Sequence, residues 1–263
     1  MALTKRQKAR AFRTGVYALS VAAVVAVALF VNWGKLSHAM FQWELVTQQF
    51  PDILTGAAKN TLIFTVFGFS GGLAIGLLMA LMRLSSVRPY RWFAASYIEV
   101  FRGIPLVVTL LILGFGLPIA FQWRWPNPYL QGAVPLALVA GAYMAETIRA
   151  GIEAVPKGQM EAARSLGMSY PRAMATIIIP QALRIIIPPL TNELVLLIKD
   201  TSLISVLGVT DQTIDLARFG REGVMSSANA TPLIVAGLVY LAMTLPLTQL
   251  VAFMERRTKA ASR

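Results

Sequence analysis

The chain has 263 residues, with 24 Lys and Arg against 12 Asp and Glu, one His and no Cys. Hydrophobic residues make up 56% and charged residues only 14%, where a soluble domain carries roughly 25% charge, and the mean hydropathy is +0.63. Too few charges remain to coat a globule of this size, so an ordinary soluble enzyme, a disordered chain and a disulfide scaffold are excluded. What remains is an all-α polytopic membrane protein.

A bilayer core of about 30 Å takes roughly 20 apolar residues per helix. Residues 16–31 form an uncharged run rich in Val and Ala. The basic stretch Lys5, Arg6, Lys8, Arg10, Arg13 before it resembles the start of a secretory signal, but no small-x-small cleavage site precedes the bulky, aromatic stretch 30–43. The run reads as a retained anchor. Further runs follow at 60–82, 103–123 and 125–145, the last two separated by the turn-forming Pro126-Asn127-Pro128. Residues 183–207 are apolar but interrupted by Pro188-Pro189, Glu193, Lys199 and Asp200, so a broken fifth span is expected there. Residues 223–254 carry no charge, with the dense apolar part starting near Pro232. Six spans are expected, an extra N-terminal one and five more.

Basic residues set the orientation. With the N-terminus inside, the cytoplasmic segments hold Lys5 to Arg13, then Arg83, Arg88, Arg91 and Arg102, then Arg149, Lys157, Arg164, Arg172 and Arg184, and last Arg256, Arg257, Lys259 and Arg263. The outer segments hold Lys35, Lys59, Arg124, Arg218 and Arg221. Both termini are expected in the cytoplasm, and the net charge of +12 needs no nucleic acid to explain it. The domain organisation expected is a leading part, 1–57, with the extra helix and an external segment; a core, 58–255; and a basic tail, 256–263.

In the second span Gly68, Gly72 and Gly76, continued by Ala80, are four apart and share one helix face. Such a row lets another helix come close, either within the chain or at a subunit interface. Between the fourth and fifth spans lies a cytoplasmic loop, about residues 150–182. Lys157 to Leu166 reads as a short helix opened after Pro156, with Glu161 and Arg164 three apart as a local pair. Gly167 suits a left-handed C-terminal cap. A second short helix is expected from Pro171, with Ile177 to Ile179 resting on the membrane domain. The two helices make a protruding knob.

Ionisable groups at membrane depth are functional candidates. Asn192 and Glu193 follow Pro188-Pro189 by one turn, where a substrate ammonium could be held, and Lys199, Asp200, Thr201 and Ser202 lie further along the same span. Lys199 and Asp200 serve equally well as structural locks. Glu99 with Arg102, and Glu146 with Arg149, are each three apart and read as ion pairs closing a gate. His38 stands alone as a solvated side chain. No cluster has metal-ligand spacing, and no nucleophile has a partnered base.

The order Glu161-Ala162-Ala163, Gly167, Ile177, Pro180 resembles the EAA motif of ABC-importer permeases, with Ile179 where Leu is usual. The stretches 97–106, 143–151, Gly158-Gln159, Pro180-Gln181-Ala182, 188–192 and 199–203 are similar to signatures of the polar amino-acid group (histidine, glutamine, glutamate, arginine). The resemblance covers about residues 53–255. It implies a type I permease with a five-helix core, to which this chain adds one N-terminal span. It also implies a dimer with itself or a paralogous permease, two ATPase subunits, an external solute-binding protein and a bacterial cytoplasmic membrane. By this resemblance Gly158, Glu161, Ala162, Ala163, Leu166, Gly167, Ile177 and Pro180 would couple to the ATPase. No Gly-x-x-x-x-Gly-Lys-Ser/Thr sequence occurs, so ATP and Mg would sit on that partner and this chain would bind no cofactor. An ion-coupled secondary transporter would show an internal repeat of spans, and none is visible.

Overall fold

The computed structural model describes residues 5–208 and 211–261, so Arg263 of the basic tail lies outside the described residues. Within them the chain is helical. Helix α1, Lys5–Phe30, continues the basic stretch straight into the first apolar run, and no residue of its window Phe12–Phe30 is buried against the rest. The short helices α2, Trp33–Met40, and α3, Trp43–Gln48, follow, with the Asn32 side chain capping α2 by accepting the Lys35 N–H at 3.0 Å.

Three hydrogen bonds clasp this segment to the head of the last helix, α11, Thr231–Ala261. Ala230 N–H donates to Ala39 O at 2.9 Å, Asn229 Nδ2 to His38 O at 2.7 Å, and Gln42 N–H to Thr231 Oγ1 at 2.9 Å. The His38 side chain is exposed.

Helix α4, Lys59–Leu84, is entered through the wide turn Ile53–Ala58 without a break, so the boundary expected at 57/58 falls inside one helical path. Its glycine row faces α7, Pro128–Glu153. A Cβ on Gly72 would stand 2.9 Å from Ala140 Cβ, and one on Gly76 2.8 Å from Met144 Cβ. The row therefore packs two helices of one chain, and Phe64, Leu136, Met144 and Leu110 close the core beside it. Helix α7 is long enough to span, about 39 Å at 1.5 Å per residue. It is wrapped by protein more than by lipid: its inner faces are Gly and Ala, and half of its residues are buried. Among the described residues, four helices are both long and apolar enough to cross a membrane, five if the bent pair below counts as one span.

Three expectations are corrected. The third span does not run straight from Gly103. Helix α5, Arg88–Gly103, stops there, and α6, Leu106–Phe121, leaves at 107°. Pro105 is the cause, because it disfavours helix at Ile104 and has no N–H to continue the ladder.

The fifth span is not broken at Pro188-Pro189. Helix α9 runs from Tyr170 to Leu207, regular over Ile179–Asp200, with wide turns at Met174–Ile178 and a tight 3₁₀ end at Thr201–Leu207. Packing against α7 and α11 holds the helix through the two prolines, as neighbouring helices do at membrane depth. The second short helix expected from Pro171 is the first turn of this same span.

Candidate functional site

Where α5 turns into α6, the elbow faces α7 and α9 across a cavity of about 550 Å³. Three charged side chains line it: Arg102 from the last turn of α5, and Glu193 and Asp200 from α9. Glu193 and Asp200 are seven residues apart, close to two helical turns, so they share a face with roughly 10 Å of rise between them. Tyr143 of α7 lies under the Arg102 guanidinium, 5.3 Å from ring centroid to Cζ. The aliphatic wall comes from Ile104, Leu106, Leu136, Val139, Leu196 and Leu197. Tyr97 O–H donates to Leu138 O at 2.5 Å and pins α5 to α7 beside the cavity.

At the start of α6, Pro105 O accepts the N–H groups of Val108 and Thr109 at 3.0 and 3.1 Å, which leaves those of Leu106 and Val107 without a backbone partner. A helix start of this kind carries partial positive charge. The cavity thus combines a cationic corner (Arg102 and the head of α6) with two carboxylates, inside an apolar shell.

The sequence residues distribute unevenly around it. Glu193 and Asp200 line the cavity, while Asn192 and Lys199 are exposed outside it. Thr201 is fully buried with Oγ1 donating to Ile198 O at 2.7 Å, and Ser202 is half-buried away from the lining.

Glu99 and Arg102 form no ion pair: α5 ends at Gly103, the guanidinium reaches Tyr143 and the cavity, and Glu99 is left exposed one turn earlier. Glu146 and Arg149 do pair, Nε to Oε2 at 3.0 Å, and Arg149 also bridges to Glu153, which locks the last turns of α7. The elbow Ile104-Pro105 and Tyr143 were missed as lining residues. Pro105 before an apolar run was the available signal.

At the basic end of the bundle, α8, Lys157–Ser165, projects with its C-terminus closed at Gly167, φ +83°. Met168 N–H reaches Ala163 O at 3.1 Å and Gly167 N–H reaches Arg164 O at 3.0 Å, the two bonds of a Schellman cap. Glu161 and Arg164 do not pair, because the Arg164 guanidinium donates to Met168 O at 2.9 Å and braces the cap instead.

Gly158, Glu161, Ala162 and Pro180 are exposed, and Leu166 stands 84% exposed at the tip. Ala163 is 2% exposed. It faces the chain's own core and presents nothing outward, since a helix of one polar and one buried side must turn one of two adjacent alanines inward. Ile177 packs half-buried beside the cluster of Ile178, Ala182 and Ile186 under the loop.

Comparison with known proteins follows the same lines. Residues 72–260 match the family described as "Binding-protein-dependent transport system inner membrane component". The arginine transport system permease protein ArtQ of Bacillus subtilis (strain 168) is 39% identical over 81% of this chain and 94% of its own length. The glutamine transport system permease protein GlnP of Escherichia coli (strain K12) is 37% identical over 83% of this chain and 98% of its own. A crystal structure of an amino acid ABC transporter with histidines superposes with a TM-score of 0.75 at 37% identity, covering 83% of this chain and 99% of that one.

Proposed function

Because the chain belongs to the family of inner membrane components of binding-protein-dependent transport systems, we propose that it is the permease subunit of an ATP-driven importer of polar amino acids. The cavity between the α5–α6 elbow and α9 carries the reading. An α-amino acid has one carboxylate and one ammonium, and the cavity has a cationic corner and two carboxylates. Arg102 and the first N–H groups of α6 hold the carboxylate, as half-helix starts do in other transporters. Glu193 holds the ammonium. The names of the relatives support an amino acid as cargo and differ on which one, which fits a site built for the common head group.

The basic end faces the cytoplasm and the end carrying α2, α3 and α10 (Leu216–Ser227) faces out. On the inner side, α8 with Leu166 at its tip docks on a separate ATPase subunit, which supplies ATP and Mg²⁺ chemistry. On the outer side a solute-binding protein delivers the amino acid. Two permease chains, identical or paralogous, enclose the pathway, with one ATPase for each.

Glu193→Gln tests the cavity. Loss of a charge-assisted contact is worth about 1.5–3 kcal/mol, roughly ten- to over a hundredfold in affinity. Uptake in proteoliposomes containing the complete complex is expected to show a correspondingly raised half-saturation for amino acids, with the complex still assembled. Unchanged kinetics across arginine, glutamine and glutamate would assign Glu193 to structure.

A further inference from the structure

At the end of the bundle opposite the basic loop, residues 212–217 tie four helices together. Asn60 Nδ2 of α4 donates to Gln212 O at 3.0 Å and Ile214 O at 2.9 Å, and Asn60 Oδ1 accepts from Tyr129 O–H of α7 at 2.7 Å. Thr61 Oγ1, also of α4, accepts the Leu216 N–H at 3.1 Å. Asp215 Oδ2 accepts the Ala217 N–H at 2.9 Å, capping α10, and Tyr240 O–H of α11 at 3.4 Å.

Asp215 is 0% exposed and its Oδ1 has no hydrogen-bond partner. Tyr240 is the titratable group in contact with it. The turns Ile53–Ala58 and Thr201–Leu207 packed against α10 contain no ionisable residue. Lys59 at the head of α4 is exposed, and Arg218 in the first turn of α10 donates its Nε–H to Glu222 Oε1 at 2.6 Å. Among the described residues, a carboxylate with one orphaned oxygen is therefore buried at the centre of the knot, with hydrogen-bond donors and no cation acting on it.

We propose that Asp215 is a proton-binding site and that the knot it completes is a latch, held shut with Asp215 protonated and loosened when Asp215 ionises. Ionising it in place leaves a buried, unpaired charge, which is costly, while parting the helices admits water to it. Burial pushes the carboxyl up to about 6 in the shut form, offset only in part by the N–H groups of Ala217 and Arg218. Opened to water it returns to about 3.9. The sign follows: the latched form binds protons more tightly, so acid holds it shut and rising pH releases it. By linkage the released-to-latched ratio rises about tenfold between pH 5 and pH 7.5. The latch does not depend on what the protein carries or on which way it faces.

The test uses the full chain, with its co-expressed partner subunits, in nanodiscs where both faces meet the same pH. Spin labels at Lys59→Cys and Gln212→Cys, both exposed and in a chain without other cysteines, report latching by their dipolar broadening. The expected result is a broadened fraction that gives way to a released one with a midpoint near 6, the ratio changing about tenfold over pH 5 to 7.5. Asp215→Asn, which can still cap α10, is expected to abolish the pH dependence and to hold throughout a spectrum at least as broadened as that of the parent at pH 5. A pH-independent spectrum in the unsubstituted latch, or the same titration in Asp215→Asn, overturns the proposal. Should Asp215→Asn not assemble, Tyr240→Phe removes a donor that favours the ionised carboxylate, so the midpoint must rise, and a midpoint that stays put overturns it equally.

Discussion

Gly167 is the residue whose role is easiest to isolate, because its backbone and its surroundings point the same way. Its φ of +83° suits glycine, and a Cβ there would meet nothing within 4 Å. A substitution therefore acts through backbone strain alone, about 1–2 kcal/mol for an ordinary L-residue in this region. Gly167→Val is expected to loosen the cap of α8, while Gly167→Asn, which tolerates the left-handed region, is expected to retain it. If α8 couples to an ATPase, substrate-stimulated hydrolysis falls in the valine variant and persists in the asparagine one, with equal membrane insertion. Equal loss in both would take the cap out of the coupling argument. The cap was legible in the sequence because glycine after a short polar helix has a local cause. The inward turn of Ala163 was not, since Lys157–Ser165 is too short to show a period and its burial is set by residues such as Ile178 packed beneath the loop. Spacing likewise placed Glu146 and Arg149 together, but could not foresee that Arg102, with the same spacing from Glu99, would be drawn to Tyr143.

At the scale of elements, the contact between α4 and α7 is the most demanding in the fold. A Cβ on Gly76 would meet not only Met144 Cβ at 2.8 Å but backbone atoms of α7, Ala145 N and Gly141 O, both at 3.1 Å. Backbone cannot move aside as a side chain can, so Gly76→Leu must push the two helices apart. Overpacking of this kind costs about 1–3 kcal/mol where side chains can adjust, and more is expected here. The purified variant should melt well below the parent in detergent or fail to accumulate, whereas Gly237→Leu on α11, with open space around the Cβ, should do neither. Comparable stability of the two variants would refute the packing role. The four-residue glycine spacing made this contact legible as a close approach, though its partner was left open. The continuity of α9 was not legible, because the rule that proline interrupts a helix is a local one. Flanking helices overrode it. The elbow at Ile104-Pro105 is the reverse case, where the same local rule prevailed with a bend of 107°.

For the whole molecule, the distribution of charge and the distribution of helices give one picture. The ends of α4, α7 and α11, the start of α5, the projecting α8 and the start of α9 meet at one end, and they carry Arg83, Arg88, Arg149, Lys157, Arg164, Arg172 and Arg256. The other end carries the clasped α2 and α3, the turn between α6 and α7, and α10, with few basic residues between them. The spans that fix this alternation were legible from composition, since uncharged runs of membrane length have few other uses. The clasp was not, because it rests on backbone carbonyls of His38 and Ala39 that no side-chain pattern announces. It ties α2, which follows α1, to the head of α11, so that a membrane-crossing α1, with none of its apolar window buried, would run in the sense opposite to α4. Basic residues are as a rule retained on the cytoplasmic side of a membrane, and if that rule holds here it orients every helix at once. Single cysteines are available as probes because the chain has none of its own. A membrane-impermeant maleimide added to intact cells is expected to label Ser37→Cys, and to label Lys157→Cys only after the membrane is opened. Both positions are exposed in the fold, so protection has to come from the bilayer. Labelling of Lys157→Cys from outside, with Ser37→Cys protected, would invert the molecule and place α8 where no cytoplasmic ATPase can reach it.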